Sequence, residues 1–318
     1  IYNQVKGLLF KDNGPIIGIQ IDNEYGHCHG LRGEEGRQHM LTLKKMAIET
    51  GFEVPFYTAT GWGGAVVVDG EYLPLMAAYV EGSWEQHIDM VPPNINYVFT
   101  SVRDDISVGS DFTQNQHFSP SYDIDNYPFA TCELGGGMQA SYQRRPIITA
   151  EDTEAMAFVK LGSGAIMLGY YTYHGGTNPI GELTTLQESR DTGFPNDLPK
   201  LTYDYQAPLG EYGQSHPSYR ALRRLHLFAK DHEEILTKGS VIIPDDKKIR
   251  PDDPSSLRYS IRYLKDSGFI FVNNYQHNLT MEPQENLNFK VEIDNEVIHF
   301  PTVHLKSGQW RLLPFNQE

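Results

Sequence analysis

Short apolar runs, each ending in a polar or glycine-rich stretch, recur through most of this chain. The run Ile16-Ile17-Gly18-Ile19-Gln20-Ile21 follows the turn signal Gly14-Pro15 and stops at Asp22-Asn23-Glu24. Being short, β-branched and bounded by Gly and Pro, it predicts a fully buried strand rather than a helix. Ile1 to Phe10 reads as the end of a helix leading into it. From Glu34 to Thr50 the period changes. Met40, Leu43, Ala47 and Thr50 share a helical face, acidic residues occupy the first turn and Gly51 marks the stop.

Val54 to Thr58 predicts the next strand, running into the loop Thr60-Gly61-Trp62-Gly63-Gly64, and Leu75 to Val80 another, ending at Glu81. Asn94 to Ser121 carries no assignable pattern. Tyr127 to Cys132 is a further apolar run delivering Glu133 and then Gly135-Gly136-Gly137, glycines that would let a substrate approach the backbone. Asp152 to Lys160 predicts a helix and Gly164 to Tyr173 a buried strand. Ser218 to Leu236 predicts a closing helix with Tyr219, Leu222, Leu225, His226 and Ala229 on one face. Strand, loop, helix and strand in this order imply parallel strands joined by crossovers. Five strands end near residues 21, 58, 80, 132 and 171, whereas a closed (β/α) barrel needs eight.

Beyond the closing helix the pattern changes. Pro244-Asp245-Asp246 and Pro251-Asp252-Asp253-Pro254 read as turns or linkers. Gly268 to Asn274 and the alternating Phe289 to Asp294 then predict antiparallel strands, with a hairpin turn at Asp294-Asn295-Glu296. The predicted division is a barrel-type region over residues 1–237 and a small β-rich domain over 238–318.

Length and charge narrow the function. A chain of 318 residues can bury a sizeable core, and its net charge of -15 argues against nucleic acid and against an anionic membrane surface. No apolar run is long enough for a membrane helix. Two cysteines, Cys28 and Cys132, make no disulfide framework. Their place beside the two glutamates would allow them to approach one another, but two reduced thiols on a rim is the reading preferred, and no metal-ligand spacing is present.

Strand-end carboxylates are how a barrel of parallel strands builds an active site. Glu24 and Glu133 are therefore candidate catalytic residues. The competing reading makes each a strand-end residue paired with an arginine, for which Arg144-Arg145 is available.

Four blocks in order resemble glycoside hydrolase family 35, the retaining β-galactosidase family. They are Gln20-Ile21-Asp22-Asn23-Glu24-Tyr25-Gly26, Thr131-Cys132-Glu133, Tyr171-Thr172-Tyr173-His174-Gly175-Gly176-Thr177-Asn178, and the stretch from Tyr203-Asp204-Tyr205 to Gly213. The resemblance covers roughly residues 10 to 230 and implies that Glu24, after the fourth barrel strand, is the acid/base and that Glu133, after the seventh, is the nucleophile. The fold implied is an α/β chain of the (β/α)8 TIM-barrel type lacking strands one to three, followed by a small antiparallel β domain. Association with another chain or with an N-terminal segment would then cover the open barrel, and the isolated chain would show weak or no activity.

The resemblance also implies the remaining assignments. Asn23 would bond the sugar 2-hydroxyl, Tyr171 and Tyr205 would face the sugar and hold Glu133 ionised, and Trp62 would stack on a pyranose face. Each has a plainer rival: core tyrosines for the first pair, a packing or lid role for Trp62. His174 reads as structural. No metal or organic cofactor is called for, because paired carboxylates hydrolyse glycosides without one. The substrate implied is an oligo- or polysaccharide with a terminal β-galactoside, in an extracellular or periplasmic setting. The alternative is a non-catalytic carbohydrate-binding remnant of such an enzyme. Leu134-Gly135-Gly136-Gly137-Met138-Gln139 lacks the aromatic residues common after the nucleophile in the family, which points to an unusual leaving group.

Overall fold

The computed structural model describes residues 1–59, 64–86, 88–103, 105, 107–109, 120, 122–183, 186–244, 246–293 and 296–317. Its chain is mixed α/β. A curled parallel sheet holds four strands in sequence order: β1 (Ile19–Gln20), β2 (Phe56–Ala59), β3 (Leu73–Ala78) and β4 (Thr131–Leu134). The Ile16 run enters this ladder only through Ile19 and Gln20, and Ile17 is 60% exposed, so β1 is a short edge strand and not a fully buried one. After Ile1 the chain makes one α-helical turn, α1 (Tyr2–Val5), and a 3-10 turn at Phe10–Asp12 before β1.

The run from Gly164 to Tyr173 also differs from expectation. It lies parallel beside β4, with Thr131 and Leu134 donating to Met167 and Gly169 and Tyr171 donating to Leu134, but it forms only isolated bridges. Gly169 explains the closeness: a Cβ there would lie 2.6 Å from the Thr131 carbonyl oxygen.

Helix α2 (Gly33–Thr50) matches its predicted span, and Gly51 ends it at φ 116°. Its contact face is narrow, with Met40 fully buried against Phe56 and Tyr72 while Thr50 is exposed. Helix α3 (Ala150–Gly162) is closed by a capping box in which Thr149 and Asp152 satisfy one another's backbone N–H groups. It is buried on all sides from Asp152 onward.

The predicted closing helix is two helices, α4 (Pro217–Asp231) and α5 (Glu233–Lys238). His232 leaves the helical conformation, its ring packing on Phe228 and Phe269, and the bend carries Leu236 into the core. A small ladder of β5 (Gly176–Thr177) and β6 (Thr202–Tyr203) closes the intervening loop.

The rest is antiparallel. Strands β7 (Ser240–Ile242), β8 (Arg258–Leu264), β9 (Ser267–Asn274) and β14 (Gln309–Phe315) form one sheet in the order β14-β9-β8-β7. Strands β10 (Gln284–Leu287) and β13 (Val303–Leu305) pair, as do β11 (Lys290–Ile293) and β12 (Glu296–His299), in which Ile293 faces Glu296 across the predicted turn. The turn residues Asp294 and Asn295 lie outside the described residues.

Strand β9 is buried on both faces. Phe269 and Phe271 join α3, α4 and α5 in one core, while Ile270 and Val272 face Leu305 and Phe315. Side chains of β8 complete α3: Ser260 donates to the Gly162 carbonyl at 2.8 Å and Arg262 to that of Leu161 at 2.7 Å, satisfying carbonyls a helix end leaves open. Between β7 and β8, Asp246 accepts from Thr100 and Ser101, so this stretch is tied to the parallel-sheet region.

Candidate active site

The C-terminal ends of the parallel strands surround a cavity of about 180 Å³. Glu24 and Glu133 both line it, together with Asn23, Tyr171 and Tyr205. Trp62, the remaining sequence-predicted site residue, lies outside the described residues.

Glu133 is delivered by β4, whose register sets it opposite Ala77 of β3. Two residues beyond Ala77, on the same side of the chain, comes Tyr79. Its phenol donates to Glu133 Oε2 at 2.9 Å. Burial first, then the charge of Glu24, push the Glu133 carboxyl above the ordinary carboxylate range, while the Tyr79 hydrogen bond pulls the other way. Burial, followed by the charge of Glu133, raises the Tyr79 phenol well above its usual value, so it remains a proton donor. Tyr205 is hydrogen-bonded to Tyr79 in turn.

Glu24 sits in the turn after β1 with φ 50°, a left-handed conformation uncommon for a side chain of its size. Its carbonyl accepts from the His27 N–H at 2.9 Å, and its Oε2 accepts from the Cys28 thiol at 2.7 Å. The next residue, Tyr25, turns the opposite way, stacking on His39 at 4.2 Å in the α2 core. That alternation points Glu24 at the cavity. Asn23 is held by Gln20, which donates to its Oδ1 at 2.7 Å.

Three tyrosines make one wall. Tyr171 and Tyr203 are joined through their hydroxyls, and the Tyr205 ring stacks on Tyr203 at 5.4 Å and meets Tyr171 edge-on at 5.4 Å. Tyr205 and Gln206 both take positive φ, 61° and 52°, which turns the chain back beneath the pocket. Two of the three glycines after Glu133 make room for neighbouring backbone. A Cβ on Gly136 would lie 2.2 Å from the Thr172 carbonyl oxygen, and one on Gly137 would lie 2.2 Å from that of Tyr205. They let two loops close on β4.

Neither cysteine is in a disulfide. Cys28 lines the cavity, whereas Cys132 faces the backbone of Leu75 and Met76, and burial raises its thiol far above the usual range. Arg144 is committed elsewhere, to both oxygens of Glu81 at 3.2 Å. His174 is not among the described residues lining the cavity.

Tyr79, Trp84, Tyr203, Gln139 and Glu188 line it too, beside Ser83, Val108, Gly109, Asn196 and Leu198, and sequence reasoning assigned none of them a role. Tyr79 had a usable signal, since an aromatic at the end of a predicted parallel strand next to the Glu133 strand falls beside the carboxylate. Trp84 and Glu188 had none, because their loops carry no period. No Lys, Arg or His is found among the described lining residues, so the cavity is acidic.

Carboxylates gather at the C-terminal edge of the parallel sheet, in a cavity walled by aromatic rings. The chain belongs to family 35 of the glycosyl hydrolases, whose model matches residues 1–228. It is 27% identical over 233 residues to beta-galactosidase 10 of Arabidopsis thaliana, covering 73% of this chain and 25% of that protein. It is 28% identical over 221 residues to beta-galactosidase 6 of Oryza sativa subsp. japonica, covering 69% and 20%, and 26% identical over 231 residues to beta-galactosidase 3 of the same species, covering 72% and 21%. The chain thus spans a quarter or less of the length of these relatives. Among the described residues, no helix is long and apolar enough to cross a membrane.

Proposed function

We propose that this chain carries the catalytic pair of a retaining exo-β-galactosidase acting on terminal β-galactosyl residues. The observation that carries the reading is the convergence of Glu24 and Glu133, from different strands, on one aromatic-walled cavity. Its volume of about 180 Å³ is below the roughly 300 Å³ at which sites for larger ligands begin, which suits one sugar unit. On this reading β1 to β4 correspond to strands four to seven of a TIM barrel, with the segment beside β4 as the eighth.

The reaction follows in two displacements. Glu133 as carboxylate attacks the anomeric carbon, the bond to the leaving oxygen breaks, and Glu24 gives that oxygen its proton. Glu24 then takes a proton from water, which attacks the same carbon and frees Glu133. The negative charge of Glu24 resists ionisation of Glu133, so the two carboxyls titrate as a pair. Positive charge developing on the sugar draws Glu133 to its ionised form, and Tyr79 supplies a hydrogen bond to that form. An acidic, low-dielectric cavity stabilises the oxocarbenium-like state. Asn23 would hold the 2-hydroxyl, Tyr171 and Tyr205 would border the sugar, and Trp84 lines the cavity beside them.

A mechanism-based trap tests this. The full-length polypeptide, treated with a 2-deoxy-2-fluoro-β-galactosyl fluoride, should gain one fluorosugar on the peptide containing Glu133. Label on any other carboxylate, or release of sugar with inverted configuration from an ordinary substrate, would overturn the assignment. Specific sugar binding with no turnover would favour the carbohydrate-binding alternative.

A further inference from the structure

A buried chain of charges lies behind the cavity, and one member comes from beyond the residues the family model matches. His277 follows β9 and stands between two carboxylates. Its Nδ1 meets Asp152 Oδ1 of α3 at 2.7 Å, and its Nε2 meets Glu81 Oε2 at 3.2 Å. Asp152 also accepts from the Tyr275 phenol at 2.6 Å. Glu81 also takes both arms of Arg144, whose Nη1 donates to the Asp89 carbonyl at 2.7 Å. Glu81 and Asp152 are nearly buried, 7% and 1% exposed at the side chain, as is Arg144 at 8%.

Glu81 immediately precedes Gly82-Ser83-Trp84. Ser83 and Trp84 line the cavity, Trp84 meets Tyr79 edge-on at 5.0 Å, and Tyr79 holds Glu133. Gly82 fits because its Cα lies against the Trp84 indole, where a Cβ would come within 2.0 Å of the ring. Neighbours of His277 grip the same region: Asn273 donates to the Tyr97 carbonyl at 2.9 Å, Gln276 to that of Asn94 at 3.2 Å and Asn278 to that of Val91 at 3.3 Å. Asn94 and Asn96 in turn bond the Tyr79 carbonyl.

We propose that His277 is a positioning residue for the active site, tying Glu81 to Asp152 and so fixing the Gly82–Trp84 wall against Tyr79 and Glu133. The proposal rests on the active-site reading above, and it makes the antiparallel region a working part of catalysis. The groups facing His277 are Glu81 after β3, Asp152 on α3 with Glu151 beside it, Arg144 through Glu81, and Tyr97 and Tyr275. Burial works against a charged His277, but the Asp152 and then the Glu81 hydrogen bonds outweigh it and hold its pKa at about 9. The stabilisation from this charge is therefore fully present below about 6.5, the ordinary histidine value, and is lost as pH rises through about 9.

The test uses the full-length polypeptide as wild type, His277→Gln, Glu81→Gln and the double variant, with an aryl β-galactoside at pH 7. Each single change should lower kcat by about tenfold with KM within about twofold, because the wall shifts while the sugar contacts remain. The double variant should be no worse than either single, since both break one linkage. A folded His277→Gln protein with wild-type kcat, or a double variant whose losses multiply, would overturn the proposal. Hydrogen exchange on the wild type decides independently of both folding of the variants and activity. Corrected for intrinsic rate, the Glu85 amide, which donates to the Gly82 carbonyl, should lose protection between pH 7 and pH 9.5, and unchanged protection refutes the clamp. A wild type without galactosidase activity but with that loss would sink the functional reading and keep the clamp.

Discussion

Glu133 sits where burial and a neighbouring negative charge both resist its ionisation, and a single tyrosine opposes them. The unfolded chain ionises this carboxyl near 4.5, whereas the folded one holds its proton to higher pH. Its raised pKa therefore drains stability as pH rises above about 4.5, the reverse of a salt-bridged carboxylate. Glu133→Gln should abolish turnover, by more than about a thousandfold, yet raise the melting temperature at pH 8. That gain should vanish below pH 4, as a thermal melt at each pH will reveal. Tyr79→Phe removes the phenol that favours ionised Glu133. It should cost about a hundredfold in kcat, the scale of one lost donor in a preorganised site, with little change in KM in steady-state assays. The two glutamates were readable because each ends an apolar run; Tyr79 was readable in principle, from strand parity. Trp84 and Glu188 were not, because loop residues carry no period and only the fold brings them to the cavity.

Among the elements, the glycines after β4 decide how the pocket closes. Sequence reasoning assigned them to substrate approach; in the fold, Gly136 and Gly137 admit the Thr172 and Tyr205–Gln206 backbones. Gly137→Ala would drive a methyl against two carbonyl oxygens, at 2.2 and 2.4 Å. It should destabilise by about 1–3 kcal/mol and lower activity by displacing Tyr205, as a urea titration and kcat on the same preparation will measure. Helix α2 was legible to within one residue because its period, acidic start and Gly51 stop agree. The break at His232 was not. Periodicity runs unbroken from Ser218 to Leu236, and the bend answers to Phe269, which arrives from a distant strand.

At the scale of the molecule, the antiparallel sheet is packed into the same core as the helices. Phe158 of α3 touches both Phe271 and Trp310, and Arg262, 1% exposed, donates to the carbonyls of Leu161 and Ala165. Arg262→Met would keep the volume and orphan those oxygens. It should cost about 3 kcal/mol or more, read as a lower denaturation midpoint in one transition involving both regions. Two separate transitions, with only the later one moved, would contradict a shared core.

Local pattern alone determined the short parallel strands, helix α2, the change to antiparallel strands after residue 238 and the two strand-end carboxylates, since each is written in spacing between near neighbours. Tertiary structure decided which aromatic rings wall the cavity, which glycines are steric necessities and how His277 reaches Glu81. Those depend on the meeting of segments far apart in the chain, where packing and burial, rather than propensity, set the energy.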